Sequence, residues 1–267
     1  MEHHDVDLTV LHRELELALE LADLADRETL GRYERRAFTV DRKADRSEVT
    51  EADRTAEAVV RAALLRLRPD HAIFGEEEGL VGPADAHWRW IIDPVDGTSN
   101  FVRGIPVWAT LIALSHVELG PVLGVVSAPA LARRWWGGRD LGAFVNGNEI
   151  RVSTIDSIAE SQVCVTFNDG WDHLGLTPAL VRLQQDAWRA RGFGDFWQHM
   201  LVAEGAAEIA VDAIGVQSYD LAAVMAVVEA AGGTFTDRAG VRSVDTGSGV
   251  SSNGRLHDQV ISRLAAV

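Results

Sequence analysis

The chain has 267 residues, 47% of them hydrophobic, enough to bury a substantial core as one unit or as two subdomains sharing an interface. Its formal net charge of −15 argues against nucleic acid or an anionic membrane as partner, since both are polyanions, and makes bound cations necessary if the substrate carries phosphate. The single cysteine, Cys164, excludes an intrachain disulfide and a cysteine-based zinc cluster, while the lack of a leader-like start or of a roughly 20-residue apolar run gives the expectation of a soluble, cytoplasmic protein.

In chain order, Val10 to Tyr33 carries Leu11, Leu15, Leu19 and Leu24 at near-helical spacing with acidic residues between them, which predicts an amphipathic helix. A hairpin or loop through Arg36 to Glu48 leads to a second helix, with Thr50 as its cap, Asp53 as the acidic N3 residue and Ala56 to Leu67 as its body. Strand-like runs follow at Ala72 to Phe74, Trp90 to Ile92, Trp108 to Ser115, Val122 to Ser127 and Arg134 to Trp136, then a Gly-rich turn near Leu141 to Asn148. Beyond residue 150 the pattern alternates. Strands are expected at Val163 to Phe167, Glu208 to Val211, Thr234 to Thr236 and Gly249 to Ser252, and helices at Pro178 to Arg189, Phe196 to Gly205, Leu221 to Ala231 and His257 to Leu264. No linker, repeat or low-complexity tract divides the chain. The natural division is an α+β subdomain over 1–150 and an α/β subdomain over 151–267.

The most specific stretch is Trp88 to Phe101. Asp93 and Asp96 are hard oxygen donors, and Pro94 stiffens the turn so that both carboxylates and the Val95 carbonyl can converge on a divalent cation. Gly97 permits close backbone approach, and the N–H groups of Gly97, Thr98 and Ser99 can face an anion if a helix begins there. A bare Asp-x-x-Asp-Gly also marks an ordinary capped loop. The longer string, residues 93–101, resembles the signature of the inositol monophosphatase family, whose members are Mg²⁺-dependent, lithium-sensitive phosphomonoesterases with alternating α-β-α-β-α layers. That resemblance implies a layered sandwich of the inositol monophosphatase and sugar phosphatase type.

Three further places match in family order, so that the likeness runs from about Val10 to Leu264. Phe74 to Gly79 resembles the family's Gly-Glu-Glu element and implies that Glu76 ligates metal and helps hold the attacking water. Lys43-Ala44-Asp45 and Val49 to Asp53 resemble its Lys-x-Asp and Val-Thr-x-x-Asp elements, which implies that Asp53 orients or deprotonates water with Thr98. Tyr219 to Ala223 resembles the element whose Asp, here Asp220, completes the metal set. Implied cofactors are two or three Mg²⁺ ions, with Mn²⁺ as a substitute and Li⁺ as an inhibitor. Implied partners are a small phosphorylated metabolite and a second copy of the chain in a homodimer.

Substrate choice rests on finer features. Trp188 to Phe196 resembles the Arg-x-x-Gly-Asp element of the histidinol-phosphate phosphatase branch, which implies substrate contacts from Arg191 and Asp195. Phe101 to Trp108, Ser127 to Ala130 and Arg133 to Trp136 resemble the same branch, and Asn253 of Ser252-Asn253-Gly254 is a candidate imidazole partner. One departure is that Ala213 stands where much of the family has a substrate-contacting Glu, with Asp212 beside it; Tyr219 replaces the usual Trp. The leading expectation is a histidinol-phosphate phosphatase of histidine biosynthesis. The alternatives are an inositol-1-phosphate or broad phosphomonoesterase, and a catalytically silent binding protein on this fold. The nine histidines show no metal-ligand spacing and are assigned to no metal.

Overall fold

The computed structural model describes residues 6–43 and 47–265; Ala44 and Asp45 of the Lys-x-Asp element, and the terminal His3 and His4, lie outside them. Helix α1 (Leu8–Arg35) begins where Asp7 accepts the N–H of Thr9 and ends where Arg36 turns left-handed. Its buried stripe is Leu11, Leu17, Ala18, Leu21, Ala22 and Ala25, while Leu15, Leu19 and Leu24 are only partly buried. The contact face is thus offset from the leucine stripe toward alanines, whose small side chains let α1 lie close to α2 (Glu51–Leu67) and the sheet beneath.

A small hairpin, β1 (Val40–Arg42) and β2 (Glu48–Thr50), leads into α2. Eight strands then form one sheet: β3 (Ala72–Gly75), β4 (Gly79–Val81), β5 (Trp88–Asp96), β6 (Ala109–His116), β7 (Gly120–Ala128), β8 (Arg133–Gly138), β9 (Gly142–Val145) and β10 (Asn148–Glu149). Their order is β10-β9-β8-β7-β6-β5-β3-β4, antiparallel except for β3 beside β5. The expected Gly-rich turn resolves into the β9–β10 hairpin, with Asn146 and Gly147 both at positive φ as a tight two-residue turn requires. A short helix, α3 (Thr98–Arg103), follows β5.

The second half supplies β11 (Gln162–Val165), β12 (Arg189–Arg191), β13 (Ile209–Asp212), β14 (Thr234–Thr236) and β15 (Gly249–Ser252), ordered β12-β11-β13-β15-β14. Its helices are α4 (Gly170–His173), α5 (Thr177–Asp186), α6 (Asp195–Ala203), α7 (Ser218–Ala230) and α8 (His257–Ala265). The helix expected to run to Arg189 stops at Asp186, because Ala187 is extended and the chain pairs in parallel with β11 as edge strand β12. The strand expected to reach Phe167 ends at Val165, and Phe167 is exposed.

The layers follow from which faces are apolar. Helices α1 and α2 cover one face of the large sheet, and α6 and α7 cover the other. The smaller sheet packs on the far side of α6, with α5 and α8 outside it. Helix α7 is buried continuously from Leu221 to Val228, as a helix held within the interior must be. The result is the expected α-β-α-β-α sandwich. No helix among the described residues is long and apolar enough to cross a membrane. The end of β5 and the first turns of α6 and α7 line one cleft.

Candidate active site

Asp93 and Asp96 are three residues apart, so in a regular strand their side chains would face opposite sides of the sheet. The register shows why they do not. Asp93 pairs with Leu111 and Asp96 with Ala109, so three steps along β5 match two along β6. This bulge at Pro94–Val95 returns Asp96 to the face of Asp93, and Pro94, which has no N–H, costs the ladder nothing there. Local bonds fix the bulge: Val95 N–H donates to Asp93 Oδ1 (3.0 Å), and the Thr110 hydroxyl donates to the Pro94 carbonyl (2.8 Å). The Val95 side chain packs with Ala52, Phe101 and Trp108.

The third carboxylate comes from α7. Asp220 occupies the N3 position, where its Oδ2 accepts the N–H of Gln217 (2.6 Å). Carboxylate oxygens of Asp93, Asp96 and Asp220 lie within 4.8 Å of one another. Burial pushes Asp93 and Asp96 well above the usual carboxylate range, and neighbouring acids push them further: Glu76, Asp96 and Asp220 act on Asp93, and Asp195 and Asp220 on Asp96. Burial likewise raises Asp220, to about 7. Three carboxylates gathered out of water are stable only if protons or a cation offset their charge. The donors are all hard oxygens, so the set fits a hard divalent cation and not zinc or copper in a thiolate or imidazole site.

Glu76 borders this triad. Its N–H donates to the Ile92 carbonyl (3.1 Å), and its Oε1 accepts from Lys43 Nζ (2.7 Å), which also reaches Glu77 Oε1 at 2.7 Å. Burial opposes the Lys43 charge, yet these two bonds hold its pKa above the ordinary value. Beneath the acidic turn lies Glu57 of α2, fully buried, which accepts the N–H groups of Glu77 and Glu78 and pairs with Arg61. Sequence reasoning missed Glu57; its only signal is the i,i+4 pairing with Arg61 on a helix otherwise read as apolar on that side.

Asp53 serves both as capping residue and as site residue. Its Oδ2 accepts the Thr50 N–H (2.8 Å), while Oδ1 lies 3.0 Å from the Thr98 hydroxyl. The same hydroxyl lies 2.9 Å from the Val95 carbonyl, and its one proton serves only one acceptor at a time. Burial raises the Asp53 pKa. Gly97 has φ 84°, and a Cβ there would stand 2.9 Å from the Val107 carbonyl, so only glycine fits the entry to α3. Ser99 is exposed, with its hydroxyl donating to Glu48 Oε2 (2.9 Å).

Asp195 reaches the cleft from α6. It adopts φ 48° directly after Gly194 at φ 72°, an uncommon backbone for a residue other than glycine. Its Oδ2 accepts from Asn100 Nδ2 (2.8 Å), and burial, then the charge of Asp212, pushes its pKa to about 6. The next N–H, that of Phe196, donates to Asp96 Oδ2 (2.7 Å), so α6 is tied directly to the triad. Asp96, Asp195, Asp212 and Asp220 together line a cleft of about 210 Å³. A larger cavity of about 480 Å³ lies by Arg89, His116 and Arg242, but Asp245 is the one acid lining it, so the chemistry converges on the smaller cleft.

Two expected substrate residues are not brought there. Arg191 sits exposed on edge strand β12, its Nη1 donating to its neighbour's carbonyl at Ala190. Asn253 lies at the opposite end of β13, where its N–H donates to the Glu208 carbonyl. Its buried amide donates to Ile155 and Ser153 and accepts the N–H groups of Arg255 and Leu256. Its hydrogen-bonding groups are engaged in turning the chain into α8.

The inositol monophosphatase family pattern matches residues 11–267. A Mycobacterium tuberculosis protein named histidinol-phosphatase is 46% identical over 261 residues, covering 96% of this chain and 99% of that one. A Streptomyces coelicolor histidinol-phosphatase is 41% identical over 259 residues, covering 94% and 96%. Among solved structures, an inositol monophosphatase from Zymomonas mobilis superimposes with a TM-score of 0.83 at 31% identity, covering 95% of this chain and 98% of that one.

Proposed function

The chain belongs to the inositol monophosphatase family, a family of metal-dependent phosphatases, and we propose that its own reaction is the Mg²⁺-dependent hydrolysis of L-histidinol phosphate to L-histidinol and phosphate. Glu76, Asp93, the Val95 carbonyl, Asp96 and Asp220 would hold two or three Mg²⁺ ions, with Mn²⁺ able to substitute and Li⁺ inhibiting. Bound there, the metal offsets the charge of the phosphate dianion, lowers the pKa of water and stabilises the leaving alkoxide.

The protein's residues supply the rest. N–H groups of Gly97, Thr98 and Ser99, at a helix start without intrahelical acceptors, face the phosphate oxygens. Asp53 and Thr98, 3.0 Å apart, align the attacking water for in-line displacement, and the raised pKa of Asp53 suits it to take a proton through the Thr98 hydroxyl. Nothing in this arrangement requires a phosphorylated residue.

The observation that carries the choice of substrate is Asp195, a carboxylate held in a strained backbone by Asn100 beside the triad. A neutral polyol needs only hydrogen-bond partners at that place, whereas an amino alcohol gains from an anion. Relatives named histidinol-phosphatase at 41% and 46% identity support the same reading. Phosphate release from L-histidinol phosphate and from inositol 1-phosphate, side by side at saturating Mg²⁺, tests it. A large preference for histidinol phosphate is expected; equal or reversed rates would move the protein to the broad phosphomonoesterase reading.

A further inference from the structure

The stretch Arg133 to Trp136 lies on β8, where alternate residues face opposite sides of the large sheet, so these four residues divide into two pairs. Arg134 and Trp136 face the α1 side: Arg134 reaches Asp23 and Asp26 of α1, and Trp136 packs on the cluster beneath that helix. Arg133 and Trp135 face α6 instead. Trp135 is fully buried and meets α6 at both ends. Its ring centroid lies 5.9 Å from that of Phe196 in the first turn, and its Nε1 donates to Oε1 of Glu204, the residue that caps the last turn. Arg133 completes the second contact: its Nη2 donates to Glu204 Oε2 (2.6 Å), and its Cζ lies 5.1 Å from the centroid of the Trp135 ring. Each oxygen of the Glu204 carboxylate thus has its own donor, and both donors come from β8.

A carboxylate has the wrong charge for that place. The free carbonyls at the end of a helix disfavour an anion, and the Glu204 side chain is only 16% exposed, so alone it would destabilise α6. With its two donors it becomes an anchor for one end of the helix, while Phe196 against Trp135 anchors the other. Phe196, Met200 and Ala203, at i, i+4 and i+7, form the apolar stripe between them. The first turn of α6 is where small displacements matter most, because the Phe196 N–H that donates to Asp96 Oδ2 sets how that carboxylate is turned. We infer that Trp135, Arg133 and Glu204 are positioning residues that fix α6 along and about its axis, so that the Phe196 N–H holds Asp96 in its cation-binding orientation. The inference rests on the proposed cation at Asp93, Asp96 and Asp220, and names what keeps one of its ligands in place.

The test is Mg²⁺ binding to the substrate-free protein, measured by calorimetry beside the melting temperature in chelator, for wild-type, Trp135→Leu, Trp135→Phe, Glu204→Leu, Glu204→Gln and Trp136→Leu proteins. Trp135→Leu and Glu204→Leu should raise the Mg²⁺ dissociation constant about tenfold, the low end for groups that support a metal ligand from outside. Glu204→Gln, which still offers Trp135 an acceptor, should recover most of that loss, and Trp135→Phe, which keeps only a ring, should fall between. Trp136→Leu removes an indole from the other face of the same strand, and should lower the melting temperature with the dissociation constant unchanged. A merely structural role for Trp135 would give its variants that same outcome. Wild-type Mg²⁺ affinity in folded Trp135→Phe and Glu204→Leu proteins overturns this inference alone, and those two variants decide it if Trp135→Leu does not fold. A wild type that binds no Mg²⁺ overturns both the cation reading and this inference.

Discussion

At the scale of single residues, carboxylates of the same type differ in consequence because of what surrounds them. Asp96 is buried, accepts the Phe196 N–H and belongs to the triad, whereas among the described residues the Glu77 side chain bonds only to Lys43. Asp96→Asn should therefore lower Mg²⁺-dependent turnover by orders of magnitude, and Glu77→Ala should be mild beside it; steady-state rates at saturating Mg²⁺ check the contrast. The triad residues were legible because Asp93, Asp96 and Asp220 sit in motifs where local chemistry announces itself: a proline-stiffened turn and a helix start. Glu57, Asn100 and His199 were not. Each acts across the fold, Glu57 on a turn 20 residues away and Asn100 on Asp195, 95 residues away. His199 meets Asp212 only where α6 crosses β13. The sequence around each residue does not name its distant partner: the i,i+4 spacing of Glu57 and Arg61 is a local signal, and it says nothing of the turn that Glu57 holds.

At the scale of elements, the site depends on irregularities. The β5 bulge sets two carboxylates on one face, the Thr50–Asp53 capping box starts α2 at Asp53, beside the Thr98 hydroxyl, and the turn after β3 lies directly on buried Glu57. That last contact leaves no room at Gly75, where a Cβ would approach Glu57 Oε1 to 2.2 Å. Gly75→Ala should destabilise the protein by about 1–3 kcal/mol and impair turnover by displacing Glu76, as chemical denaturation and rate measurements on the same preparation would show. An unchanged midpoint would mean that the turn moves aside at no cost. Long elements were read well because their apolar period is strong: α1, β6, β7 and α7 all lie within a few residues of expectation. The short strands β4, β10 and β12, of two or three residues each, were missed because their pairing is decided by neighbours and not by local propensity. The bulge was likewise invisible until the partner strand was known.

At the scale of the whole molecule, a chain of net charge −15 gathers its acids inward as well as outward. Asp220 has its pKa raised from 3.8 to about 7 by burial. Between roughly pH 4 and 7 the folded chain therefore keeps a proton that the unfolded chain gives up, and metal-free stability should fall as pH rises through that window. A bound divalent cation replaces the proton, so Mg²⁺ should raise the melting temperature more at pH 8 than at pH 5.5; equal shifts at both would contradict the repulsion within the cluster. The fold binds the two halves of the chain together at that cluster, since Asp93 and Asp96 come from the first sheet and Asp220 from a helix of the second half. The central claim is that phosphate release from histidinol phosphate depends on a cation held there, and the most direct measurement is the initial rate after exhaustive chelation and after Mg²⁺ is returned. The rate should fall to background and recover fully with Mg²⁺. An undiminished rate in chelator would contradict the claim.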